Sequence, residues 1–289
     1  MTRWSLKFIA TVFLCASSAH AQLAGSLKIS KKEHLVGEPV MATVTVTNHS
    51  GRELLFHSDG RFQWLSFILK TSSGSQVPPK GNALFGPMKI GAGQTLAREV
   101  DLTQHFQLSQ QGNYTVSAVI HLPGESTKGT STNKVFFNQT PGRLYWSQKV
   151  GIAGAPDHTR EYRLLNFSGD TKTHFYAQIE DGRTGQLVRT FRLGEVLMMR
   201  KPLVTVDRQQ RLHTMFLATP VMWVHYVIDT DGNVINRQIH QRGPVGDPKL
   251  LTLEDGSVQV ANSIPFDPKA AAEERAKVHK ASDRPQIPN

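Results

Sequence analysis

His213, His225 and His240 fall on three consecutive stretches of alternating apolar and polar residues, and imidazole is the commonest protein ligand for a metal. Whether these rings meet depends on the hairpin around "ATPV", residues 218 to 221. Pairing Leu217 with Met222 sets His225 against Thr214 and points His213 from the other face, whereas a slip of one residue sets the two histidines opposite each other. No third ligand stands at a fixed spacing, so ordinary sheet histidines are expected, with no metal and no cofactor.

"VIDTDGNVINRQI", residues 227 to 239, carries acidic side chains two residues apart followed by Gly232. A calcium loop of the helix-loop-helix kind needs glycine at its sixth position and an acidic residue at its twelfth, whereas here, counting from Asp229, glycine is fourth and His240 is twelfth. A tight hairpin turn fits better, because Asp and Gly readily adopt the backbone conformations such turns demand. Nucleophilic catalysis has little support. No serine lies in a Gly-x-Ser-x-Gly elbow. The carboxylate pairs Glu180 with Asp181 and Glu254 with Asp255 precede turn glycines, and neighbours on a strand point to opposite faces, so neither pair is placed to act on one glycosidic bond. Aromatic residues are the better candidates for ligand binding. Trp223 and His225 share one predicted strand face, Tyr226 lies on the other, and Trp146 and Tyr176 occur on further strands; exposed rings of this kind stack on sugar or peptide, although in a sheet such residues more often pack in the core or across strands.

The elements that must position these residues are strands. The chain opens with Arg3 and Lys7, an apolar run from Phe8 to Ala16 and then Ala19-His20-Ala21, the order of a secretory signal over residues 1 to 21 and too short to span a bilayer. Cleavage near Ala21 implies a periplasmic or secreted protein. The single cysteine, Cys15, falls inside that segment, so the mature chain has no disulfide, a composition commoner in a bacterial envelope than in a eukaryotic secretory route. The formal charge of +10 is spread along the chain. That distribution argues against a sequence-specific nucleic-acid partner and suits weak attraction to anionic envelope polymers. No later segment is apolar for long enough to cross a membrane.

In "PVMATVTVTN", Val40, Ala42, Val44 and Val46 alternate with polar residues, the pattern of a strand with one buried face. About seven such runs between 25 and 140 predict a β-sandwich. Within "LSQQGNYTVSAVI", residues 108 to 120, Gly112 and Tyr114 precede Val116, Ala118 and Ile120 at strand spacing. This stretch resembles the tyrosine corner of immunoglobulin-like domains, and the resemblance implies a structural role for Tyr114, whose hydroxyl would bond back to the upstream backbone. The antibody cysteines are missing.

Residues 144 to 262 contain an internal echo. "FYAQIEDGRTGQLVRTF" (175 to 191) and "VHYVIDTDGNVINRQI" (224 to 239) each read as strand, acidic glycine turn and returning strand, and a fainter echo links residues 201 to 216 with 248 to 262. The period resembles β-propeller blades, including sialidase-like repeats. Only about two and a half units fit, against roughly 4 to 8 blades in a closed ring, which leaves an open sheet docked on the first domain, two sheets packed together, or blades shared between chains. Residues 263 to 289 read as a short helix capped by Asp267 and a flexible tail.

The expected fold is therefore all-β: an immunoglobulin-like sandwich, a meander of blade-like sheets and a short C-terminal helix. The expected function is a non-enzymatic exported binding or assembly module for a protein or glycan partner, with homo-oligomerisation open. A glycan hydrolase with carboxylates from unpaired loops is the alternative, and a proteinase-inhibitor-like first domain a further one.

Overall fold

The computed structural model describes residues 22–59, 61–124, 129–168 and 172–278. The secretory-signal segment and the tail beyond 278 lie outside the described residues. Among the described residues the fold is all-β, with several sheets, no closed barrel and two short helices. Among the described residues no helix is long and apolar enough to cross a membrane.

The first half runs β1 (Leu23–Ile29), β2 (Glu33–Leu35), β3 (Met41–Asn48), β4 (Leu54–Phe56), β5 (Leu65–Thr71), β6 (Met88–Ile90) and β7 (Thr95–Asp101). After a one-turn helix α1 (Leu102–His105) come β8 (Gly112–His121), β9 (Gly129–Ser131) and β10 (Val135–Thr140). Strands β1, β3 and β7 make one sheet; β2, β10, β8 and β5 make another, with β9 beside β8. Alternation dictates how they meet. Ala42, Val44 and Val46 of β3 and Tyr114, Val116, Ala118 and Ile120 of β8 are buried in one shared core, because period-two burial sends every second side chain inward. The edge of β1 is closed by Asn133, whose side chain accepts from the Leu27 N–H at 2.9 Å and donates to the Leu27 carbonyl at 3.0 Å, as a neighbouring strand would. Four strands of three residues each, β2, β4, β6 and β9, are too short to show sustained alternation in the sequence.

Tyr114 is buried, and its hydroxyl donates to the Gln110 carbonyl at 2.7 Å. Gly112 opens β8 with a φ of 148°.

The second half begins with β11 (Arg143–Ile152), β12 (Ala155–Ser168), β13 (Thr173–Asp181) and β14 (Leu187–Glu195). It continues with β15 (Leu203–Val206), β16 (Leu212–Thr219), β17 (Met222–Ile228), β18 (Val234–Arg242), β19 (Lys249–Thr252), β20 (Val258–Ala261), β21 (Ser263–Pro265) and helix α2 (Pro268–Val278). β11 to β14 form one antiparallel meander, and β15 to β18, extended by β21, form the next. Of the three arrangements open from the sequence, the two sheets pack together. Tyr162, Phe175 and Ile179 from the first meander meet Phe216, Tyr226 and Ile228 from the second in one core. Ile179 and Ile228, matched in the internal echo, are buried in the same cluster. The remaining half unit is the hairpin β19–β20, which lies on the outer face of the second meander. There Leu250 and Val260 pack with Leu203, Met215, Leu217 and Trp223, giving this half three layers.

The acidic turns behave as hairpin turns. The Asp229 carboxylate accepts from the N–H groups of Asp231 at 3.0 Å and Asn233 at 2.7 Å, and Gly232 takes a φ of 80°, which a β-branched residue would resist. Asp181 plays the same part, accepting from Arg183 and Thr184. Asp267 caps α2 through the Lys269 N–H at 2.8 Å.

The two halves meet where Leu35 packs with Leu165, Phe167 and Tyr176. Lys31 bridges the seam, with its ammonium 2.7 Å from Glu38 and donating to the Tyr176 hydroxyl at 3.1 Å.

Candidate functional site

The three histidines converge, by a register that is neither of the two weighed from the sequence. An irregularity between Leu217 and Thr219 shifts the β16–β17 hairpin so that Leu217 faces Trp223 and Met215 faces His225. This shift places His213 on the same face as His225 instead of the opposite one, because any odd displacement inverts a strand's faces. Their rings stack with centroids 5.3 Å apart, and the centroids of His225 and His240 are 6.2 Å apart.

A hydrogen-bonded series runs through them. Asp207 and Arg211 lie either side of the turn joining β15 to β16, where Gln210 adopts a φ of 60°. The Asp207 carboxylate accepts from the Arg211 N–H at 2.9 Å and from its guanidinium at 2.6 and 2.7 Å. His213 Nε2 stands 3.1 Å from Asp207, and His213 Nδ1 stands 3.2 Å from His225 Nε2. Burial pushes the Asp207 carboxyl up, but the hydrogen bonds from Arg211 and His213 outweigh it and hold the pKa below the usual value. An ionised carboxylate only accepts, so His213 Nε2 must donate. The neutral ring then accepts at Nδ1 from His225 Nε2, which leaves His225 Nδ1 as a lone pair. His240 Nδ1 is 3.1 Å from the Ser263 hydroxyl. Burial lowers all three histidine pKa values, that of His225 to about 4 with help from His213 and His240; the rings are therefore neutral at pH 7. His225 Nδ1 and His240 Nε2, both buried, have no hydrogen-bond partner.

These histidines line a cleft of about 710 Å³ bordered by Val258, Gln259 and Val260 of β20. Among the described residues, no group of three or more His, Cys, Asp or Glu side chains is arranged to hold a metal ion.

The other aromatic candidates are mostly packing residues. Trp223 is 2% exposed under the β19–β20 hairpin, and Tyr226 is 7% exposed in the core between the meanders, where its hydroxyl donates to the Leu193 carbonyl at 2.7 Å. Tyr176 is fully buried at the seam between the halves, and Trp146 is partly buried against the meander core. The structure does not bring these rings together into a stacking platform. Trp223 and His225 share a face, as alternation requires; Tyr226 and Trp146 belong to the core on the opposite side of that sheet, and Tyr176 to a separate cluster.

A surface of different character lies on the outer face of the β2-β10-β8-β5 sheet. Register aligns Phe136 of β10, Thr115 of β8 and Lys70 of β5 in one cross-strand row. Phe136 is 68% exposed. Together with Ile68, Ser117, Lys32 and Lys134 they border a cleft of about 940 Å³, and Lys32, Lys134 and Phe136 continue into an adjoining one of about 460 Å³. Among the described residues, Lys32, Lys70 and Lys134 have no carboxylate within salt-bridge distance, while Glu33 is the single acidic residue lining the larger cleft.

Carboxylate chemistry is poorly supplied. Glu180 is engaged by Arg163 at 2.7 Å and Asp181 by Arg160 at 3.3 Å, and none of the five clefts described is lined by two carboxylates. No protein-family model matches this chain, and no curated protein matches it. The functional reading therefore stands on the two surfaces themselves.

Sequence reasoning overlooked Asp207, Arg211, Phe136 and the three lysines. The first pair had a usable signal: "DRQQRLH", residues 207 to 213, reads as a tight turn that sets Asp207 beside Arg211 and within reach of His213. The lysines come from three separate segments, and only the sheet order joins them.

Proposed function

We propose that this chain is an exported binding module that takes an acidic glycan of the cell envelope on the outer face of the β2-β10-β8-β5 sheet. The observation that carries this reading is the exposed row of Phe136, Thr115 and Lys70 flanked by Lys32 and Lys134. An exposed ring offers a flat apolar surface for the C–H face of a sugar. Hydroxyls at Thr115 and Ser117 suit its polar edge. Unpaired ammonium groups attract carboxylate or sulfate, and at an open site that attraction is screened by salt over about 10 Å at 0.1 M.

The order of charged, apolar and small residues before Gln22 supports export, and the Tyr114–Gln110 hydrogen bond supports an immunoglobulin-like reading of the first sandwich. The blade-like reading of the second half rests on the matched turns at Asp181 and Asp229. A binding role is favoured over glycan hydrolysis because the clefts lack paired carboxylates.

The test measures binding of the full chain to an oligo-uronate and to a neutral oligosaccharide of equal length, at 50 and 200 mM salt. Selective, salt-sensitive binding of the uronate is expected, and the triple variant K32E/K70E/K134E should lose it. Equal binding of both sugars, or an unchanged triple variant, would remove this face from the function.

A further inference from the structure

We propose that His225 and His240, at the floor of the cleft beneath the β19–β20 hairpin, form a two-coordinate site for monovalent copper. The inference is independent of the glycan surface and starts from two nitrogen atoms. His225 Nδ1 and His240 Nε2 are the buried, unpartnered members of their rings, and the residues are only 4% and 3% exposed. A buried polar atom gains from a partner, and one ion between the two rings would serve both.

The opposite nitrogen of each ring is already engaged. His225 Nε2 is held by His213, itself held by Asp207, and His240 Nδ1 is held by Ser263. Metal-binding histidines have this arrangement: for His225 the series from Asp207 fixes the tautomer, and for His240 the Ser263 hydroxyl, which both donates and accepts, can take the Nδ1 proton and leave Nε2 to coordinate. The spacing agrees. Two metal–imidazole bonds of about 2 Å each, with the ring radii added, separate the centroids by roughly 6 Å, and the observed separation is 6.2 Å.

The ligand set selects the ion. Zinc takes four ligands and hard cations take oxygen, whereas no three-donor group is present among the described residues and no carboxylate lines the cleft. Monovalent copper accepts two neutral nitrogens in a nearly linear arrangement and carries the smallest charge into a buried site. The one cation at the rim, Arg211, is neutralised by Asp207. Met215, fully buried, is the direct cross-strand neighbour of His225 on the same sheet face, and thioether surroundings favour the soft monovalent ion.

The experiment titrates the full chain carrying Cys15→Ser, so that no thiolate competes, with monovalent copper under anaerobic conditions against a chromogenic chelator. One equivalent should bind. His225→Gln and His240→Gln should each weaken binding at least 100-fold, and Asp207→Asn, which loosens His213 and leaves Arg211 uncompensated at the rim, by roughly 10- to 100-fold. X-ray absorption of the copper-loaded parent should show two imidazole nitrogens, a readout that holds even where a variant fails to fold. Absence of a bound equivalent, unchanged affinity in His225→Gln and His240→Gln, or a ligand set without two imidazoles would overturn the assignment.

Discussion

Two of the sheet faces that lie outside the main cores have opposite fates. The outer face of the β2-β10-β8-β5 sheet stays open, with hydroxyls, lysines and a single exposed phenylalanine. The outer face of the β15-β18 meander is covered by a hairpin and carries a buried series of Asp207, His213, His225 and His240. The open face can be approached by a polymer and keeps its charges in water, where each is cheap to hold. The covered face buries its histidine and aspartate side chains, so their polar groups must bond one another or what enters the cleft. One fold thus separates a surface suited to a large ligand from a floor suited to an atom.

The largest expected effect tests the cover. Trp223 fills the space between the meander and the β19–β20 hairpin, so Trp223→Ala should cost about 3 to 5 kcal/mol, measured by urea denaturation. A loss below about 1 kcal/mol would mean that the hairpin packs loosely and that the two faces differ less than they appear. Asp207→Ala comes next. Removing a buried carboxylate strands His213 and unpairs Arg211, and a loss of roughly 3 kcal/mol is expected by the same measurement. The half-exposed guanidinium can turn to water, which keeps the effect below that of the tryptophan. An unchanged midpoint would show that the polar series is not what organises the covered face.

How much of this contrast was legible beforehand follows from chain distance. Alternation in residues 40 to 47 and 113 to 121 revealed strands with one buried face because period two is a local property. The Asp229 turn was legible because its hydrogen bonds stay within five residues. The histidine face was hidden by a single irregularity at Ala218, since a one-residue shift exchanges the faces of everything beyond it. Trp223, Tyr226 and Tyr176 looked available for stacking because alternation assigns a residue to a face without saying whether another layer lies on that face. Lys32, Lys70 and Lys134 are separated by 38 and 64 residues, and nothing short of the strand order puts them on one cleft.

The core of the first half offers a pH test, through His34 of β2, which is buried with its ring 5.9 Å from that of Phe137. Burial, with a smaller contribution from Lys31, lowers the pKa of His34. The unfolded chain therefore takes up this proton more readily than the folded one. Stability linked to His34 is complete above about pH 6.5 and falls as the pH drops through the lowered folded value. Urea midpoints at pH 7.5 and 5.5 should differ less in His34→Gln than in the parent, because one uptake site has been removed. Other buried histidines add to the parent's slope, and only the difference between the two proteins reports His34. Identical slopes would mean that the core around Phe137 opens enough for the imidazole to titrate as it does in water.

The smallest effect on folding belongs to the open face and sharpens the contrast most. Phe136 is two-thirds exposed and lies outside the shared core of the first sandwich, so Phe136→Ala should move stability by less than about 0.5 kcal/mol. Its ring gains little by folding. Affinity for the acidic oligosaccharide should fall about 10-fold, the loss of roughly 1.4 kcal/mol of stacking, with the salt dependence retained because the lysines are untouched. If affinity and stability both stay unchanged, the ring is incidental and charge alone defines the face. If stability falls by several kcal/mol instead, Phe136 is covered in solution, and this face too has a layer over it.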